Sequence, residues 1–419
     1  MPVVIPRAAQ HELQMPAYRW VVLGVSTAIN ALAWGARSSF ALFYVEMLRE
    51  LSWGRGPTAL GYSLSWLGFL VCAPAAGWLS DRWGARAVVA IGGLLLGGAL
   101  ALTGQVQSLP EYYLWFGAIG AAGIACMLVP STAIVTRWFV RSRGTAMGIL
   151  SAGGPGSAIA FYPLNAWLIS TLGWRTAFAA YGGIVASSTA VLALLYRDAA
   201  PAGHGSGEDN ARAPQRTAGA SEWTLRAALH SRQLWAAFLM TALGVIGFQI
   251  MATHQVAHAV DRGFDLTTVV RLFTLAAGSM MAGNLLGGWL SDRLGRDWVF
   301  ALGTAIAIGG IGCFAAIRSP ADLPLLVIYA ISGFGFGMRI AQLSAIPADV
   351  FSGPHLGAIL GVVQGGGGLG GAVGPFLGGW LFDITGSYAL AFAVAGMVVA
   401  GSALAARLAV RPGKGAPRR

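Results

Sequence analysis

The chain has 419 residues, of which 56% are hydrophobic and only 10% charged, with a formal net charge of +11. A soluble domain carries about 25% charged residues, so a soluble enzyme or nucleic-acid binder of this length is excluded, and the basic excess points to a membrane protein with cationic loops. Cys72, Cys126 and Cys313 each lie inside a long apolar run, with no CxxC spacing and no nearby histidine cluster; neither a disulfide framework nor a zinc site is expected.

Residues 1–17 are polar and contain proline, and the first apolar run is too long for a signal-peptide core. A membrane-spanning helix needs about 20 apolar residues. Twelve such runs follow, at 18–46, 57–79, 86–106, 111–137, 144–171, 176–196, 234–260, 267–290, 297–317, 323–349, 356–382 and 387–410. The stretch 197–233 is polar, Gly/Pro-rich and non-periodic, so it reads as a linker. The expected organisation is an N-terminal six-helix bundle (18–196), a linker (197–233), a C-terminal six-helix bundle (234–410) and a tail (411–419).

With the termini and linker placed in the cytoplasm, nineteen of the 27 basic residues fall on cytoplasmic segments. Six fall outside (Arg49, Arg55, Arg175, Arg262, Arg271, Arg318), and Arg37 and Arg339 lie within apolar runs. This positive-inside bias predicts cytoplasmic ends; the expected location is a bacterial inner membrane. The 60 glycines suit close helix crossings in a bilayer.

The end of the second run reads Gly77-Trp78-Leu79-Ser80-Asp81-Arg82-Trp83-Gly84, followed by Arg86. The end of the eighth reads Gly288-Trp289-Leu290-Ser291-Asp292-Arg293-Leu294-Gly295, followed by Arg296. Seven of eight positions agree at an offset of 211, and Trp167…Gly173 recurs as Trp380…Gly386 at an offset of 213. Parallel repeats of this kind build transporters with a site between the halves. The loops, which also carry Arg82, Arg86, Arg293 and Arg296, read as conformational gates: Gly77 and Gly288 for close helix contact, Asp81 and Asp292 for capping neighbouring helix N-termini or pairing with arginines across the bundle.

The duplicated Gly-x-x-x-Asp-Arg-x-Gly loop resembles the signature of the major facilitator superfamily, which implies an all-α fold of twelve transmembrane helices in two pseudo-symmetric bundles. Three segments resemble its monocarboxylate transporter branch, near the oxalate:formate exchangers: Arg137-Trp138-Phe139-Val140-Arg141-Ser142-Arg143-Gly144 with Ala152-Gly153; Gly333 to Gly337 with Gly374-Pro375, Asp383 and Thr385-Gly386-Ser387-Tyr388; and Arg37 to Glu46. The resemblance puts Arg37 where the family often carries a pore lysine. Its usual substrate-binding arginine falls on Asn284, and the proton-coupling aspartate on Met280, so that pair is absent here.

A charge at mid-membrane costs at least about 2.5–3.5 kcal/mol, so Arg37 and Arg339 are functional candidates. An arginine fork can hold a carboxylate with two hydrogen bonds, and no apolar run supplies an acidic partner at its core. Asn30 and Trp34 share the face of Arg37. Gln249 and His254, with Tyr162 and Asn284, are further wall candidates. His254 and Arg37 are the proton-coupling candidates, His258 a weaker one beside His254. Glu46, Asp261, Asp265 and Asp383 read as solvated helix ends. No nucleophile constellation or nucleotide loop appears, so neither catalysis nor a cofactor is expected. The expectation is a monomeric secondary transporter for a small organic anion, a monocarboxylate such as lactate or pyruvate, moved by alternating access with protons as the default coupling ion. The alternatives are an anion exchanger, a drug or metabolite efflux antiporter and a non-transporting receptor.

Overall fold

The computed structural model describes residues 7–139, 143–196, 223–351 and 356–410. Among them the chain is helical throughout, without a strand. The first half comprises α1 (Arg7–Ser38), α2 (Phe40–Leu51), α3 (Arg55–Trp83), α4 (Ala85–Thr103), α5 (Leu109–Tyr112), a π-helical turn (Tyr113–Ile119), α6 (Gly120–Trp138) and α7 (Arg143–Leu194). The second half comprises α8 (Leu225–Leu229), α9 (Arg232–Asp261), α10 (Leu266–Leu294), α11 (Arg296–Ala315), α12 (Leu323–Val350), α13 (Leu356–Thr385) and α14 (Ala389–Val410). Nine helical segments among the described residues are long and apolar enough to cross a membrane.

The twelve apolar runs map onto these helices, with the run 111–137 divided into α5, the π-helical turn and α6, and with further differences elsewhere. Helix α1 begins at Arg7, so residues 7–17 of the polar segment are already helical. The first run is two helices, because the chain turns at Ser39, one residue past Ser38 and two past Arg37. The runs 144–171 and 176–196 form one helix interrupted at Gly173, where φ is 74°. The linker ends in the short α8, capped by Thr224; residues 197–222 and 411–419 lie outside the described residues.

The repeat motif is visible in the backbone. Gly84 and Gly295, its last residues, have φ of 84° and 92°, a region that only glycine enters without strain, and each N–H donates to the serine four residues back. Gly153 meets Thr27 in the first half as Gly366 meets Phe238 in the second: a Cβ there would lie 3.0 Å and 2.5 Å from the facing carbonyl oxygen. These pairs stand at the offsets of 211 and 213 that relate the motif copies. Trp78, Trp83, Trp289 and Trp298 are exposed at the signature-loop end, as expected of an interfacial aromatic belt.

Candidate functional site

A cavity of about 970 Å³ lies between the halves. Its wall includes Thr132 and Ala133 near the end of α6, Met147 and Leu150 near the start of α7, Leu343 on α12 and Gln364 near the start of α13. All of these lie toward the helix ends that carry the signature loops. At its other extreme the wall is Phe40, Tyr62, Tyr162, Gln255 and Tyr329. The cavity therefore extends toward the signature-loop end and stops short of the opposite end.

Arg37 and Arg339 are both on this wall and 3% exposed. Arg37 donates from Nη2 to the Ser65 carbonyl at 3.1 Å, and its guanidinium carbon lies 4.1 Å from the Trp66 ring, 5.2 Å from Phe69 and 5.6 Å from Trp34. Arg339 donates to Ser402 Oγ at 2.5 Å and lies 4.9 Å from the Phe300 ring. The Nε of each has no hydrogen-bond partner. Among the described residues neither arginine has an ion-pair partner, and the cavity wall holds no Asp, Glu, Lys or His. Cation–π contact offsets part of the cost of burying a guanidinium but leaves its charge uncompensated. The wall thus offers two cationic hydrogen-bond donors, one from each half.

Asn30, Trp34, Tyr162, Gln249 and Asn284 also line the cavity. His254 does not. It is fully buried beyond the closed end, with Nε2 2.8 Å from the Pro375 carbonyl and Nδ1 3.3 Å from the Tyr388 hydroxyl. It is absent from the cavity wall in this conformation because α13 and Tyr388 enclose it. His258 packs among Phe314, Tyr388 and Phe392.

The closed end is built around Arg55, one of the six basic residues assigned to the outside by charge. Its Nη2 pairs with Asp261 at 2.7 Å, and its Nη1 donates to Tyr388 Oη at 2.5 Å. Its guanidinium lies 3.9 Å from the Phe382 ring. The backbone N–H groups of Arg55 and Gly56 donate to the two Asp383 oxygens at 2.9 and 2.7 Å, and Tyr44 donates to the Arg55 carbonyl at 3.0 Å while its ring meets His254 edge-on. Asp261 and Asp383 are exposed but not merely solvated: both join the halves. Asp265 caps α10 through Thr268 N–H, and Glu46 pairs with Arg49. The signal for Arg55 was local: a Gly-Arg-Gly-Pro start to the second run.

At the other end, Asp81, Arg82 and Arg86 are exposed. Arg82 lies over Trp78 and Arg293 over Trp289, at 5.5 and 4.0 Å, and Arg296 pairs with Asp349. The Asp292 side chain is outside the described residues. The expected close contacts at Gly77 and Gly288 are absent in this conformation: a Cβ at Gly77 would meet Val129 at an ordinary 3.6 Å, and one at Gly288 would meet nothing within 4 Å. The tight crossings of α10 with α12 lie deeper, at Gly283 and Gly337.

The family model of the Major Facilitator Superfamily matches residues 23–308 and 259–419. Monocarboxylate transporter 11 of Mus musculus is 30% identical over 392 residues, covering 90% of this chain and 83% of the relative. Monocarboxylate transporter 13 of Rattus norvegicus is 29% identical over 412 residues, covering 94% and 90%. Among solved structures, a bacterial homologue of the human lysosomal transporter Spinster, inward-facing and occupied, superposes with a TM-score of 0.74 at 17% identity, covering 94% of this chain and 96% of that one. The nucleoside transporter NupG gives 0.71 at 16%, covering 94% and 100%. With the duplicated loop, the two-fold repeat and the central cavity, these matches place the chain in the major facilitator superfamily as a monocarboxylate-transporter-like, multi-pass membrane carrier rather than an enzyme.

Proposed function

We propose that this protein carries a small organic anion, a monocarboxylate, across a bacterial cytoplasmic membrane by alternating access, with the signature-loop end facing the cytoplasm. The observation that carries this reading is the pair of buried guanidinium groups, Arg37 and Arg339, facing one cavity from opposite halves without a carboxylate partner. A carboxylate entering from the open end supplies the missing charge and two acceptor oxygens. Bound between the halves, it draws them together and closes the signature-loop end, while the Arg55 cluster at the other end comes apart.

Protons are the default coupling ion. A wall without Asp, Glu or His has no fixed group to take up a proton near neutral pH, which favours two routes: a proton arriving on the substrate, or exchange of one anion for another. Uptake of radiolabelled monocarboxylates ranging from lactate and pyruvate to 3-phenylpropanoate into proteoliposomes separates these. Symport requires acceleration by an inward proton gradient. Exchange requires acceleration by an internal carboxylate with the gradient collapsed. No carboxylate uptake under either condition contradicts the proposal.

A further inference from the structure

The cavity has a second polar station, away from the arginines. Gln249 is 2% exposed, lines the cavity, and its Nε2 has no hydrogen-bond partner. Burying an unpaired donor costs free energy that folding alone does not recover.

Depth along the cavity follows from the helices. A Cβ on Gly244 of α9 would lie 3.0 Å from Arg339 Nη2 on α12, and Tyr329 of α12 donates to Gln255 of α9 at 2.7 Å. Between these contacts α9 advances about 16.5 Å and α12 about 15 Å at a 1.5 Å rise per residue, so the two run antiparallel and nearly in step. Gln249, five residues beyond Gly244, then lies about 7.5 Å further toward the closed end than the Arg339 guanidinium. Arg37 is at a similar depth to Arg339. Its guanidinium rests on Trp66, Trp66 fills the space beside Gly371, and the neighbouring Gly370 abuts α9 between Ala242 and Ile246.

The interval between the stations is aromatic. Phe336 lies 5.9 Å from the Arg339 guanidinium carbon, and Phe248 lies 5.6 Å from Phe336; both line the cavity. The wall therefore offers cation, then rings, then an uncompensated amide donor. A two- or three-carbon acid at the arginines leaves the rings uncovered and Gln249 unmet.

We infer that the carried carboxylate is elongated, with a ring-sized apolar body and a hydrogen-bond acceptor about 7.5 Å from its carboxylate that receives the Gln249 amide. This inference rests on the anion-carrier reading above. Gln249 is its specificity-determining residue, distinguishing acids by their far end, and the arginines do not discriminate length.

Binding of three probes to the purified full-length protein tests it: propanoate, 3-phenylpropanoate and 3-(4-hydroxyphenyl)propanoate, with wild type, Gln249→Met and Arg339→Gln. The expected order of affinity is hydroxyphenyl over phenyl over propanoate, the hydroxyl contributing about ten-fold. Gln249→Met should erase that hydroxyl advantage and keep 3-phenylpropanoate affinity, which also reports that the variant is folded. The order on the unaltered protein is decisive without any variant. Equal affinity for propanoate and the ring acids overturns the inference, as does a hydroxyl advantage that survives Gln249→Met. Arginine-dependent binding without length preference overturns this inference alone. Failure of all three acids to bind overturns the anion-carrier reading with it.

Discussion

Arg55 and Asp261 form an ion pair at 2.7 Å that joins the start of α3 to the end of α9, and its origin is a broken symmetry in the repeat. The position equivalent to Asp261 in the first half, 211 residues earlier, is Glu50. Glu50 pairs with Arg175 at 2.8 Å and accepts from Trp174 Nε1, so that acid is neutralised within its own half. The position equivalent to Arg175, 213 residues later, is Tyr388. Tyrosine supplies no charge, so Asp261 takes its cation from across the interface, and Arg55 bonds the tyrosine as well. One Arg-to-Tyr difference between the repeats thus converts a bond within one half into a latch between halves.

Loss of the latch should open this end. Arg55→Gln removes a half-buried guanidinium with two charge-assisted bonds, each worth about 1.5–3 kcal/mol when made to a charged group, and a change of 1.4 kcal/mol shifts a population about ten-fold. A single cysteine at Phe40, buried at the closed end of the cavity, introduced after the three native cysteines are replaced, should react with an impermeant thiol reagent about ten-fold faster from the Arg55 side in this variant. An unchanged rate contradicts the latch.

The glycines separate packing from gating. A Cβ at Gly337 would lie 2.0 Å from the Met280 carbonyl oxygen, which is backbone that cannot yield. Gly337→Leu should therefore prevent assembly of α10 with α12, read as loss of monodisperse protein on size exclusion. Gly288 meets nothing in this conformation, so Gly288→Leu should change stability by less than about 0.5 kcal/mol. Its uptake should nevertheless fall sharply, because the signature-loop end must close for the other half of the cycle. Normal uptake by Gly288→Leu excludes a close contact there.

At Arg37 the shape of the cation matters as well as its charge. The guanidinium lies against Trp66, Phe69 and Trp34 while donating to Ser65, and an ammonium cannot stack and fork at once. Arg37→Lys should raise the apparent KM for carboxylate uptake about ten-fold, a loss of about 1.4 kcal/mol, and Arg37→Gln by more. Equal KM values for Lys and Arg at this position would show that only net charge is read.

A pH effect follows at Glu50. Its hydrogen bonds from Arg175 and Trp174 hold its carboxyl below the usual carboxylate range. A carboxylate depressed in the folded protein stabilises above its unfolded pKa, and that stabilisation is lost as pH falls through the folded value. With a half-exposed side chain, the contribution is about 0.5 kcal/mol. Wild type should exceed Glu50→Gln in thermal stability by a constant margin above about pH 5, with the margin vanishing as the solution becomes more acidic. A margin that grows in acid contradicts this.

Much of this was legible in the sequence because the bilayer and the repeat are both strong constraints. Apolar runs fix helix positions, since every backbone group must be paired within its helix. The break at Gly173 lay between two of those runs, and Gly84 and Gly295 marked the turns by their place in the motif. Arg37, Arg339, Asn30, Trp34, Tyr162, Gln249 and Asn284 were found as polar residues at membrane depth, and all reach the cavity wall. What the residues did not disclose was conformation. Whether His254 faces a pore or a seal depends on how α13 closes over it. Arg55 became a hub only through partners as distant as Tyr388, 333 residues away in sequence. The turn at Ser39 was equally silent, because both sides of it are apolar.

Recognition of an anion by the two unpaired arginines underlies the proposed transport. Its most direct test is uptake of a panel of radiolabelled monocarboxylates and their uncharged amides by proteoliposomes containing wild type, Arg37→Gln or Arg339→Gln. Wild type should take up carboxylates but not amides, and each variant should lose that uptake while remaining folded. Amide uptake equal to that of the acids, or carboxylate uptake undiminished in Arg339→Gln, would contradict it.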